Sequence, residues 1–187
     1  MARTVLLAAG CILAAAPAAA PAAASPAAAA ARASAPPASS TRAATPRLDA
    51  ALSEEEVRAF MTHLANASRA RDVAQLAAAL ADDCRIELRT RLQGREQLTQ
   101  LTRAQYVELL QSGYAAFRDL ERYEYVQSDV RVTLAADDSA ATVVSNVTET
   151  LVLDGTPAVT ESEETSRIER RGGELRLVAV SALTVGR

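Results

Sequence analysis

The spacing of apolar positions along this 187-residue chain changes character at several points, and each change marks an element. Ser53-Glu54-Glu55-Glu56 forms a capping box with an acidic first turn, the arrangement that satisfies and complements the start of a helix. Behind it Val57, Phe60, Met61, Leu64 and Ser68 recur at helical spacing, which predicts a first helix running to about Ser68 with one face on a core. Asp72 caps a short second helix with Val73, Leu76, Ala77 and Leu80 on one face, ended by Asp82-Asp83. From Cys84 the period becomes two: Cys84, Ile86, Leu88 and Thr90 alternate with Arg85, Glu87, Arg89 and Arg91, the pattern of a half-buried strand. Gly94 marks a turn, and Thr102-Arg103-Ala104-Gln105 is a second capping box, leading a third helix with Val107, Leu110, Tyr114 and Phe117 on its core face.

The last third reads as a meander of strands at 121–134, 140–153, 157–170 and 174–185. Asp154-Gly155 between two of them is a strong hairpin signal. In the first of these strands the apolar parity flips between Tyr123/Tyr125 and Val130/Val132/Leu134. An extra residue near Val126 to Ser128 is therefore expected to form a bulge, and a bulged long strand curves. The predicted fold is α+β: three helices on one face of a strongly curved, mainly antiparallel sheet.

Composition divides the chain in two. Residues 1–50 contain 23 alanines and six of the seven prolines, whereas all six aromatic residues lie beyond them. Arg3 precedes an uncharged apolar run from Thr4 to Ala16, too short for the roughly 20 residues of a membrane span and suited to a secretory signal. Residues 1–24 are read as a signal peptide cut before Ser25, and 25–48 as a disordered Ala/Pro-rich linker. A second reading takes Leu7-Ala8-Ala9-Gly10-Cys11 as a lipobox, with Cys11 lipidated. Export, periplasmic or secreted, follows from the first; a lipoprotein anchored through Cys11 follows from the second. With residues 1–24 removed, Cys84 is left without a disulfide partner and reads as a small core residue.

The domain at 49–187 carries 16 arginines against 23 carboxylates, a net charge of −7. Such a domain repels phosphate backbones, so nucleic-acid binding is not expected. One histidine, two cysteines, and the absence of Cys-x-x-Cys, His-Glu-x-x-His, Gly-x-Ser-x-Gly or a phosphate-cradling loop leave no expected metal or cofactor.

Three segments together resemble a known superfamily: Asp72 to Asp83 with its Leu80-Ala81-Asp82-Asp83 ending, the helix from Thr102 to Gly113, and Arg170-Arg171-Gly172-Gly173-Glu174-Leu175-Arg176-Leu177-Val178. They resemble the nuclear transport factor 2-like superfamily, and within it a SnoaL-like branch that is largely of unknown function. The resemblance covers residues 53–185 and implies a cone whose helices and curved sheet enclose a pocket. One departure is Leu175, where a tryptophan is common. The superfamily includes isomerases, dehydratases, cyclases and proteins that only bind or dimerise. The positions where its steroid isomerases carry the oxyanion tyrosine and the base aspartate are Leu64 and Leu88 here, so that mechanism does not carry over.

The remaining candidates for proton transfer are Glu161, Glu163 and His63. Glu161 and Glu163 share one face of the third meander strand, opposite Thr160, Ser162, Glu164 and Ser166. If their face points inward, two carboxylates enter the pocket and repel. If it points outward, the strand is a solvated edge, which charged residues protect from aggregation; the charge density favours this second reading. At about 100° per residue, His63 lies roughly 120° from the centre of its helix's core stripe and is expected in solvent. Tyr106, Tyr114, Tyr123 and Tyr125 are candidate ligand-binding hydroxyls, with core packing as the competing role. The last strand is apolar on both faces, with Leu175, Leu177, Ala179 and Leu183 against Val178, Val180 and Ala182, and the second meander strand adds Val144 and Val152 outside. A homodimer through the outer sheet face is expected. The sequence thus points to an exported pocket protein that binds a small apolar or amphipathic molecule as a dimer. A lyase or isomerase with a Glu base and a Tyr acid, or an interaction module with a filled pocket, are the alternatives.

Overall fold

A computed structural model describes residues 6–8, 11–13, 51–92 and 95–185. The predicted signal cleavage site, the linker and the Gly94 turn lie outside the described residues. Inside the predicted signal segment two short strands, β1 (Leu6–Ala8) and β2 (Cys11–Leu13), pair antiparallel.

The domain begins with α1 (Glu54–Ala70), α2 (Val73–Ala79) and β3 (Leu80–Leu92), continues through β4 (Arg95–Leu101) and α3 (Arg103–Ala116), and ends with β5 (Arg122–Leu134), β6 (Ala140–Leu153), β7 (Thr156–Arg171) and β8 (Glu174–Val185). The six strands β3 to β8 form one sheet in the order β4-β3-β8-β7-β6-β5, antiparallel except for the parallel β3–β8 pair. The α+β expectation holds, and the helices cover the inner face through a core centred on Val57, Met61, Ile86, Leu88, Val143 and Ile168.

Both capping boxes are present. The Glu56 amide donates to Ser53 Oγ at 3.2 Å, and the Ser53 amide donates to the Glu56 carboxylate at 3.1 Å. Arg170 on β7 also donates to Glu56 at 2.9 Å, so the start of α1 is tied to the sheet, and these bonds hold the Glu56 pKa below the usual carboxylate range. Ser53→Ala is expected to destabilise the domain by about 1 kcal/mol, read as a lower urea midpoint at unchanged slope. An unchanged midpoint would show that the Arg170–Glu56 contact alone fixes the helix start.

Several expectations need correction. The second helix ends at Ala79, and Leu80 to Asp83 already belong to β3, which pairs with β8 from Leu80↔Leu177. The sequence reading has no β4, because Arg-Glu-Gln-Leu-Thr-Gln-Leu is mostly exposed and only weakly alternating. The β5 register shift falls between Ser128 and Arg131, just beyond the expected position, with Asp129 in the left-handed region at φ 53°. Strand β7 is not an edge: β6 and β8 flank it, and β4 and β5 are the edges.

The two apolar faces of the last strand also resolve differently. A register shift opposite Arg167/Ile168 makes Val178 an extra residue in β8. Leu177 before the shift and Ala182 and Thr184 after it are all buried. Leu175, Leu177, Val180 and Ala182 therefore serve one inner face, and Ala179, Ser181 and Leu183 lie opposite. A bulge reverses side-chain parity, which made one buried face look like two.

Candidate functional site

Alternation along β5, β6 and β7 aims their inward residues at the helices, and those residues are not all apolar. On β6, Ala141, Val143, Ser145, Val147, Glu149 and Leu151 are buried while the residues between them are partly or fully exposed. Glu149 therefore sits in an otherwise uncharged row, 1% exposed. Across the ladders, Tyr125 faces Glu149 and Ser145 faces Glu164. The result is a polar layer inside the cone.

The Tyr123 hydroxyl donates to Glu149 Oε1 at 2.7 Å. Its ring packs edge-on against Tyr114, with centroids 6.5 Å apart at 68°, and the Arg71 guanidinium lies 5.6 Å from its centre. Burial and the Glu149 charge push the Tyr123 phenol far above its ordinary range, so Tyr123 is a hydrogen-bond donor and not a phenolate at any working pH. Tyr125 is raised in the same direction by burial and then by the charges of Glu164 and Glu149, with Ser68 beside it pulling the other way.

Next to this layer lies a cavity of about 60 Å³ between α1, α2, α3 and the sheet. Its polar lining consists of Ser68, Tyr106, Tyr125, Gln127, Glu164 and Ser166, and leucines from both helices and sheet make most of the rest. Gln127 is held in place by donating from Nε2 to Ser145 Oγ at 3.0 Å. The Glu164 carboxyl is pushed up to about 8, first by burial and then by Glu149. It is therefore mostly protonated at neutral pH, a hydrogen-bond donor that becomes a base on the alkaline side.

Leu64 and Leu88, which the resemblance sets against the isomerase tyrosine and aspartate, both line this cavity. Leu88 stands on the same cross-strand row as Glu164, through Ala182. Glu164 and Leu88 are thus two strands apart, roughly 10 Å across the sheet.

The sequence candidates divide accordingly. Tyr106 and Tyr125 line the cavity. Tyr114 and Tyr123 do not; they pack around Leu151 with Phe117 and Leu120, because the β5 and α3 positions they occupy lie at the other end of the cone. Glu161 and Glu163 are exposed and border an open groove on the outer sheet face with Asn146 and Thr148. Parity puts Glu164 inside instead. His63 is exposed in a shallow groove beside Phe60 and Gln75. Cys84 is buried, and its thiol is raised to about 11 by burial and by Asp83, which fits an inert core residue. Among the described residues no group of three His, Cys, Asp or Glu side chains is placed to hold a metal ion.

Glu149 and Glu164 are the residues that sequence reasoning missed. A signal for Glu149 was present: it is the one charged residue on the inward parity of β6.

The family description SnoaL-like domain matches residues 49–180. The chain belongs to the SnoaL-like domain family. The fold of this SnoaL-like domain is shared by solved structures of low identity. An NTF2-like protein with a cystatin-like fold from Novosphingobium aromaticivorans is 17% identical with a TM-score of 0.54, covering 69% of this chain and 79% of its own. Aln2 from a Streptomyces species is 19% identical at TM-score 0.55, covering 71% and 92%. The hexachlorocyclohexane dehydrochlorinase LinA-type3 from Novosphingobium barchaimii is 13% identical at TM-score 0.54, covering 70% and 84%. No curated protein matches the chain in sequence. These similarities place the SnoaL-like domain in the NTF2-like cone fold.

Proposed function

We propose that this SnoaL-like domain binds a small amphipathic molecule in the cone cavity, with the polar end at Glu164, Tyr125 and Gln127 and the apolar end against the leucine wall. The observation that carries this reading is a cavity between helices and sheet, apolar on most sides, with convergent polar groups on one side. Its size bounds the ligand. At roughly 10–15 Å³ per water, about 60 Å³ accommodates a few heavy atoms, so a short molecule or the tip of a longer one enters.

The test is a titration of isotopically labelled protein with 1-propanol, followed by amide shifts. The expected result is saturable shifts confined to residues around the cavity, lost in Ala182→Leu, which fills the space, while circular dichroism confirms that the variant folds. Shifts that never saturate, or that persist in the filled variant, would remove the ligand-binding reading.

A second reading is proton transfer in the same cavity. A carboxyl near 8 beside a buried tyrosine suits a general acid or base at neutral pH, and a dehydrochlorinase is among the structures sharing the fold. Fold alone does not fix chemistry, so binding remains the first reading.

The proposal extends to the setting. Residues 1–24 would direct export, with lipidation at Cys11 as the alternative anchor; among the described residues no helix is long and apolar enough to cross a membrane. A homodimer through the outer sheet face is supported by Val126, Val159 and Val185, which are 53%, 60% and 48% exposed. A concentration-independent monomer in sedimentation would exclude that interface.

A further inference from the structure

The charges around the cavity restrict what it admits. Among the described residues no Arg, Lys or His side chain lines it. Arg69, on α1, donates to the Tyr125 carbonyl oxygen and to Asn66 Oδ1. Arg71 lies over the Tyr123 ring. The titratable groups around Glu164 are Glu149 from β6, Tyr125 from β5 and Tyr106 from α3, which lines the same cavity; β8 and β3 contribute Val180, Ala182 and Leu88, and α1 contributes Ser68. Among the described residues no hydrogen bond reaches the Glu164 carboxyl, whose environment consists of burial and the like charge of Glu149.

An anion entering this space meets the Glu164 oxygens and no lining cation among the described residues. A neutral hydroxyl satisfies one of them. An ammonium group brings three donors and no acceptor, and acceptors are what the cavity holds: the Glu164 oxygens, the Ser68 and Ser166 hydroxyls, and the Gln127 carbonyl, whose own amide is already engaged with Ser145. Tyr106 and Tyr125 line the same space, and aromatic rings attract a cation at short range. A positive charge here also offsets the repulsion between Glu149 and Glu164.

We propose that the ligand of this cavity is the ammonium head of a short primary amine, held by the Glu164 carboxylate. The inference rests on the cavity-binding reading above and names its ligand class. Because Glu164 must lose its proton to form the ion pair, the amine's affinity increases as pH rises through about 8, until the amine itself deprotonates near the ordinary lysine range of about 10.4. A neutral ligand that accepts a hydrogen bond from the protonated acid shows the opposite slope.

Three probes of equal length separate the cases: propylammonium, 1-propanol and propionate, titrated by amide shifts at pH 7 and pH 9. Propylammonium is expected to bind about tenfold more tightly at pH 9 than at pH 7, one unit of carboxyl ionisation being worth about tenfold. It is also expected to outcompete 1-propanol at pH 9, with propionate weakest. In Glu164→Gln the preference for propylammonium over 1-propanol disappears, and so does the pH slope. Saturable binding of 1-propanol with propylammonium equal or weaker, or without a pH slope, overturns the amine assignment and leaves the cavity reading standing. Tighter binding of propionate overturns it as well. Binding of none of the three removes the cavity reading itself.

Discussion

Glu164→Gln is expected to stabilise the domain at pH 9 by on the order of 4 kcal/mol and to leave its stability at pH 4 unchanged. The sign follows from proton counting. The Glu164 carboxyl titrates at about 8 in the folded domain against an ordinary 4.5, so between those values the folded state holds a proton that the unfolded chain has released. Stability then falls as pH rises across that window, by about 1.4 kcal/mol per pH unit, and levels off above about 8. Glutamine is the shape of the protonated acid and carries no charge, so it removes the slope and keeps the packing. The cause is located in the structure: Glu164 lies on the inward parity of a central strand, one strand from Glu149, whose charge raises it further. Urea midpoints of the two proteins at pH 4, 7 and 9 check it. Parallel curves would mean that water reaches Glu164 freely and that the cavity is open to bulk solvent.

That residue also shows how far the sequence was legible. Element order, helix caps and the Asp154-Gly155 hairpin were readable because each depends on a few adjacent residues, and short-range chemistry does not need the rest of the chain. Strand parity was readable only until a bulge intervened. The β5 bulge left a visible trace because polar residues surround it. The β8 bulge at Val178 left none, since both parities there are apolar, and one buried face was read as two. Whether Glu161/Glu163 or Glu164 points inward is a one-residue question of register, and only pairing with β6 and β8 answers it. The assumption of an edge strand failed for the same reason, because strand order is a property of long-range pairing. What could not be read was that Glu164 on β7 stands on the same cross-strand row as Leu88 on β3.

The cone's second carboxylate raises a different expectation. Tyr123→Phe removes one oxygen atom and is expected to destabilise the domain by about 2–3 kcal/mol. The ring keeps its edge-on contact with Tyr114 and its place under Arg71, so the change isolates the 2.7 Å bond to Glu149. Hydrogen bonds to charged groups contribute about 1.5–3 kcal/mol, and this one serves a carboxylate that is 1% exposed, which water cannot resolvate cheaply. A double-mutant cycle with Glu149→Gln separates the bond from the ring: the two changes together are expected to fall short of additivity by about 2 kcal/mol, as coupled buried partners do. Additive effects would show that Tyr123 contributes packing alone. The bond also bears on the cavity, because the Tyr123 hydroxyl holds the Glu149 charge in the position that raises Glu164. In Tyr123→Phe the Glu164 titration should therefore shift as well, although Tyr123 itself does not line the cavity. An unmoved titration would separate the two carboxylates into independent features, one structural and one facing the ligand.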